Sequence, residues 1–210
     1  MILEKDIQNF EKSKNRIVFE LTGKENVSDL VSIPYLDMAI TFRYIVGIFQ
    51  DEIASISLRQ EHLDKWGVGT ADIMHYARIN TPKILPPKVT PMIDALKELS
   101  GIEFAGDDPD ISLSPLFILS NEYSTRGASA LLYPGVLEEF ADQFESDICI
   151  IPSSIHEVIL VPDQLDITSS NYASMIQEIN STEVSPHEIL SDHPYYFSQS
   201  DRKIRHSMMA

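Results

Sequence analysis

The chain contains a single cysteine, Cys149, among its 210 residues, so no intramolecular disulfide can form and a reducing, cytoplasmic setting is expected. Long apolar runs are missing as well, and nothing approaches the roughly 20 residues of a membrane span. The first ten residues carry Glu4, Lys5 and Asp6 in place of a basic segment followed by an apolar one, so no secretory leader is expected. Basic side chains are scarce: 16 Lys and Arg face 32 Asp and Glu, a formal net charge of −16. The shortage is uneven. Residues 1–105 hold 12 basic and 15 acidic side chains, residues 106–210 hold 4 and 17, and from Gly127 to Asp201 there is no Lys or Arg. Nucleic acid is bound largely by neutralising phosphates with such residues, so the composition excludes it as a partner, and anionic membrane surfaces with it. Gly127 and Gly135 are eight apart with no Lys-Ser or Lys-Thr following, so neither a phosphate cradle nor a cofactor is expected.

What remains is an ordinary globular composition, 43% hydrophobic and 23% charged. A chain of this length buries roughly 70% of its unfolded surface and needs no staple. Alternation predicts strands at Arg16–Leu21, Met38–Val46 and Ile53–Leu58; in the second, Ile40, Phe42, Tyr44 and Val46 share one face, and Thr41 and Arg43 the other. Thr70 is expected to cap a helix ending near Thr81, before Pro82, and Thr90-Pro91 to open another. Strands are predicted at Pro115–Ser120 and Ala128–Tyr133, linked by the polar turn Asn121–Gly127. A helix follows Pro134-Gly135, the strands Asp147–Ile151 and Ile155–Val161 form a hairpin, and a helix is capped by Ser169 or Ser170. Strands in adjacent pairs, with helices between the pairs, predict an α+β fold, an antiparallel-rich mixed sheet covered by helices. It is read as one domain or as two lobes, 1–99 and 115–197, joined by an acidic, turn-rich connection at 100–114, with 198–210 a frayed tail.

Three groups of residues bear on chemistry. Ser154 and His156, with Glu157 beside them, have the residue types of nucleophilic catalysis, but no strand-turn-helix elbow surrounds the serine and a hairpin-loop role competes. His156-Glu157 does not extend to a zinc-protease motif, because position 160 is Leu160. His187, Asp192 and His193 form the densest set of metal-ligand types, at a spacing matching no closed structural site. Cys149, within Ile148-Cys149-Ile150-Ile151, reads as a small buried hydrophobe. Trp66, near His62 and Tyr76, reads as a core anchor rather than a pocket wall.

Glu61-His62-Leu63 leading to Trp66-Gly67-Val68, then Asn80-Thr81-Pro82, Leu119-Ser120-Asn121, the run Gly127–Gly135, Pro152-Ser153-Ser154-Ile155-His156-Glu157-Val158-Ile159, and Leu190-Ser191-Asp192-His193 follow one another in an order that resembles an uncharacterised bacterial family, the domain-of-unknown-function family numbered 5688. The likeness covers about Asp37 to Phe197 and is most specific from Gly127 to Val161. It implies a bacterial, intracellular protein and brings no activity with it. The reading these observations favour is a binding or regulatory protein engaging a basic protein partner through its acidic C-terminal half, where 13 carboxylates lie between Gly127 and Asp201. The alternatives are a small hydrolase using Ser154 and His156 with an acidic partner, and a divalent-cation protein using His187, Asp192 and His193.

Overall fold

In the computed structural model, which describes residues 7, 9–50, 52–100, 116–163, 169–182 and 184–206, period-two alternation builds a first sheet around one long strand. That strand, β3 (Met38–Phe49), pairs antiparallel with β1 (Ile17–Gly23), with Ile17 opposite Tyr44 and Leu21 opposite Ile40. β2 (Ser32–Tyr35) and β4 (Glu52–Ser57) share its other edge. Ile17, Phe19, Leu21, Ile40, Phe42 and Tyr44 enter the main core. The alternate residues Val18, Glu20, Thr41, Arg43 and Ile45 therefore belong to the opposite face.

A strand edge exposes unpaired backbone groups. On β1 that edge is closed by α3 (Thr70–Ile84), which follows the short helices α1 (Phe10–Ser13) and α2 (Gln60–Trp66). Thr81 Oγ1 accepts from the Phe19 amide at 3.0 Å and donates to the Ala77 carbonyl at 2.6 Å. Asn80 Nδ2 donates to the carbonyls of Ile17, at 2.9 Å, and Lys14, at 2.7 Å. The helix runs past Pro82 rather than ending before it, because the proline sits in the last turn and the Leu85 amide still reaches the Thr81 carbonyl at 2.8 Å. Thr70 lies inside the helix, and the first amide outside it, that of Gly69, donates to Asp72.

The second sheet runs β10-β9-β7-β8-β6-β5, from β5 (Pro87–Pro91), β6 (Phe117–Asn121), β7 (Ile148–Pro152), β8 (Val158–Pro162), β9 (Tyr195–Ser198) and β10 (Lys203–His206). The α+β class holds, but the mixed sheet resolves into two sheets in which every pairing among the described residues is antiparallel. One face of the second sheet joins the first in a continuous core that includes Leu119, Ile150, Leu160 and Tyr195. On the other face α6 (Ser169–Thr182) seats Ile176 against Cys149, Ile151 and Val161. Both faces being covered explains why β7 reads as an unbroken apolar run.

Several expectations change. Thr90 and Pro91 belong to β5, opposite Ile118 and Phe117, and α4 (Met92–Ser100) begins after them. Residues Ala128–Tyr133 are not a strand: Gly127–Leu132 forms a 3-10 helix, since both edges of β6 are already taken by β5 and β8 and the small residues allow a tighter coil to be buried beside it. α5 (Val136–Phe144) follows as expected, burying Leu137, Phe140 and Ala141. β8 starts at Val158, which leaves His156 and Glu157 in a loop. The tail expected to fray contributes β10, paired to β9 through Ile204 opposite Phe197. The connection at 100–114 lies outside the described residues apart from Ser100, the last residue of α4.

Candidate functional site

On the first sheet's second face, the register sets Glu20 opposite Thr41 and Arg43 opposite Ser57. Glu20 is only 4% exposed. Removing a carboxylate from water costs several kcal/mol unless it is paired and hydrogen-bonded, and Glu20 is both. Its Oε1 accepts from Thr41 Oγ1 at 3.1 Å and lies 3.6 Å from Arg43 Nη1, while Oε2 accepts from Arg126 Nη1 at 3.2 Å. The Arg43 guanidinium is held further by Ser55 Oγ at 2.8 Å and Ser57 Oγ at 2.9 Å. Burial lowers its pKa, against the opposing pull of Glu20. These groups form the polar end of a cleft of about 530 Å³ whose apolar walls include Val18, Ile45, Ile53 and Leu85. That volume is in the range of sites for small molecules.

Arg126 reaches the cleft from the loop after β6, and the surrounding side chains serve that loop. Asn121, fully buried, accepts from the Tyr123 amide at 2.9 Å and donates to the Thr125 carbonyl at 2.8 Å. Ser124 and Arg126 both take left-handed backbone, with φ of 50° and 53°, a conformation costing roughly 1–2 kcal/mol for an L-residue. The Arg126 amide donates to His156 Nδ1 at 3.2 Å, which leaves the imidazole proton on Nε2, 3.5 Å from Glu188 Oε1. The His156 carbonyl accepts from Ser120 Oγ at 2.8 Å and from the Gly127 amide at 2.9 Å. Two loops are thereby stitched together under one guanidinium.

The residues expected to carry chemistry are distributed differently. The Ser154 hydroxyl accepts from the backbone amide of His156 at 3.0 Å, and both imidazole nitrogens face other groups, so Ser154 and His156 form a turn rather than a nucleophile and its base. Glu157 accepts the Ser154 amide through its backbone carbonyl at 3.2 Å. His187 is exposed in a turn. Asp192 accepts from Asn180 Nδ2 at 2.8 Å, and the His193 amide donates to Ser191 Oγ at 3.1 Å. Ser191 in turn donates to Asp37 at 2.8 Å, and Asp37 also receives the Tyr195 hydroxyl. The Leu190–His193 segment is thus a clasp between the β2–β3 turn, α6 and β9. Among the described residues, no three His, Cys, Asp or Glu side chains gather to hold a metal ion. Cys149 is buried as expected, and burial pushes its thiol pKa up to about 11. Trp66 anchors the N-terminal segment, donating from Nε1 to the Ile7 carbonyl at 2.6 Å.

Reading the sequence for reactive types passed over Glu20, Arg43 and Arg126. A signal was present. Arg126 is the only Lys or Arg between Lys97 and Arg202, and it stands in the turn expected at Asn121–Gly127.

Among the described residues no helix is long and apolar enough to cross a membrane. A family model matches residues 2–199, under the description Family of unknown function (DUF5688). No curated protein and no solved structure matches the chain.

Proposed function

Because the chain belongs to the DUF5688 family, whose function is unknown, its role has to be read from its own side chains, and we propose that it is a binding protein whose ligand enters the cleft beside Arg126. One observation carries this reading: a buried carboxylate and two guanidinium groups converge at the end of a cleft of about 530 Å³ whose remaining lining is mainly aliphatic, with Ser55 and Thr125 at its polar part. Apolar walls with a few convergent polar groups are the usual make-up of a small-molecule site. Among the described residues no His or Cys lines the cleft, and binding or regulation is the role its lining supports. The single buried cysteine is in keeping with a reducing cytoplasm.

The test is methyl-resolved NMR of the full chain titrated with octanoate and octanol. The expected result is that Val18, Ile45, Ile53 and Leu85 move together and that Ile53→Trp, which puts an indole into the cleft, abolishes the shifts of the other three. Shifts confined to other residues, or none, overturn the reading.

A second reading keeps a basic protein partner for the acidic half. It rests on Glu139, Glu145 and Asp147, which are exposed on and just after α5. Asp142 beside them already pairs with Arg202, at 2.7 Å and 3.0 Å. An affinity for polylysine that does not fall between 50 and 300 mM salt, roughly the range over which exposed charges become screened, rules this reading out.

A further inference from the structure

The cleft's charge can be counted group by group. Arg43 and Arg126 supply two positive charges and Glu20 one negative, so a single positive charge is left over in a molecule of net charge −16. The two arginines are not equivalent. Arg43 is held on three sides by Ser55, Ser57 and Glu20. Arg126 donates to Glu20 from Nη1, and among the described residues nothing accepts from its Nε or Nη2. A guanidinium with one edge free is the geometry that takes a carboxylate in a two-pronged fork. Glu20 holds Arg126 from the other side, and the hydrogen bonds of Asn121, Gly127 and His156 fix the backbone from which it extends.

We propose that the cleft takes a monoanionic carboxylate bearing an aliphatic or aromatic body, its carboxylate on the free edge of Arg126 and its body against Val18, Ile45, Ile53 and Leu85. This deepens the cleft reading above and rests on it. A dianion such as a phosphate monoester would exceed the one charge left over, next to Glu20 and within the field of a strongly acidic chain. A cation finds no partner, because Glu20 already accepts from Thr41 and Arg126 and sits beside Arg43. A neutral alcohol would fill the apolar part and leave the Arg126 donors to water.

The experiment compares octanoate, octanol, octylamine and octyl phosphate on the full chain by calorimetry, with the methyl shifts of Val18 and Ile53 reporting location. Octanoate is expected to bind at least about tenfold more tightly than octanol, the order of effect of one charge-assisted hydrogen bond. Arg126→Gln should erase that margin, and Arg126→Lys, which keeps the charge without the fork, should recover only part of it. Equal binding of octanol and octanoate overturns the carboxylate assignment and leaves the cleft as a site. Tighter binding of octyl phosphate or octylamine overturns it as well. If none of the four probes moves the cleft methyls, the cleft reading itself has failed.

Discussion

Gly127 shows how narrowly the Arg126 loop is built. A methyl group added there would lie 2.2 Å from Ser120 Oγ, 2.5 Å from the Asn121 amide nitrogen and 2.7 Å from the His156 carbonyl oxygen. Two of those neighbours are backbone and cannot step aside, so Gly127→Ala must open the junction between the two loops. A destabilisation of about 1–3 kcal/mol is expected, as for other overpacked sites. Urea unfolding of the full chain measures it, and a midpoint equal to that of the wild type would mean that the loops separate freely. At the same junction Ser120, Asn121, Gly127 and His156, drawn from three separate blocks of the sequence, hold the Arg126 loop in place.

Among the elements, α3 and β1 form the most exacting contact, because a helix supplies the hydrogen bonds that another strand would otherwise make. Thr81 fills both roles of a hydroxyl there, accepting from Phe19 and donating to Ala77. Thr81→Val keeps the shape and removes the acceptor, leaving a buried amide unsatisfied at a cost of about 1–3 kcal/mol. Thr81→Ser should retain most of the stability. Hydrogen exchange at the Phe19 amide distinguishes the two, since it should speed up in the valine variant alone. This strand also shows how far the pattern was legible. Alternation correctly placed Ile17 and Phe19 on one face of β1, and Ile40, Phe42 and Tyr44 on one face of β3. It misjudged Ala128–Tyr133 as a strand: in the 3-10 helix Gly127–Leu132 every residue but Leu132 is buried, and burial on all sides erases the periodicity that separates a strand from a coil.

For the molecule as a whole, the buried weak acids set a limit on alkaline stability. Burial raises the Cys149 thiol from about 9 to about 11 and the Tyr133 phenol from 10 to about 12, and raises Tyr195 further with help from Asp37. Unfolded chains lose these protons first, so above pH 9 the unfolded state binds fewer protons than the folded one and stability falls as pH rises. Well below pH 9 the three groups are neutral in both states and contribute no slope. Stability is therefore expected to decline between pH 9 and 11, and Cys149→Ala to flatten the first part of that decline. Urea midpoints at pH 7, 9 and 10 under reducing conditions test this, and an unchanged slope in the variant would assign the decline to the tyrosines.

Composition and local pattern settled the broad character of this protein: the α+β class, the buried cysteine and the uneven charge all follow from side-chain type and from periodicity, which act within a few residues. The candidate site did not follow, because Glu20, Arg43 and Arg126 lie 106 residues apart at their extremes and none has an unusual neighbour in sequence. Pairing of β1 with β3 brings the first two together, and the loop bound to His156 delivers the third. Glu20 is taken out of water beside both guanidinium groups, and that proximity exists in the folded chain alone.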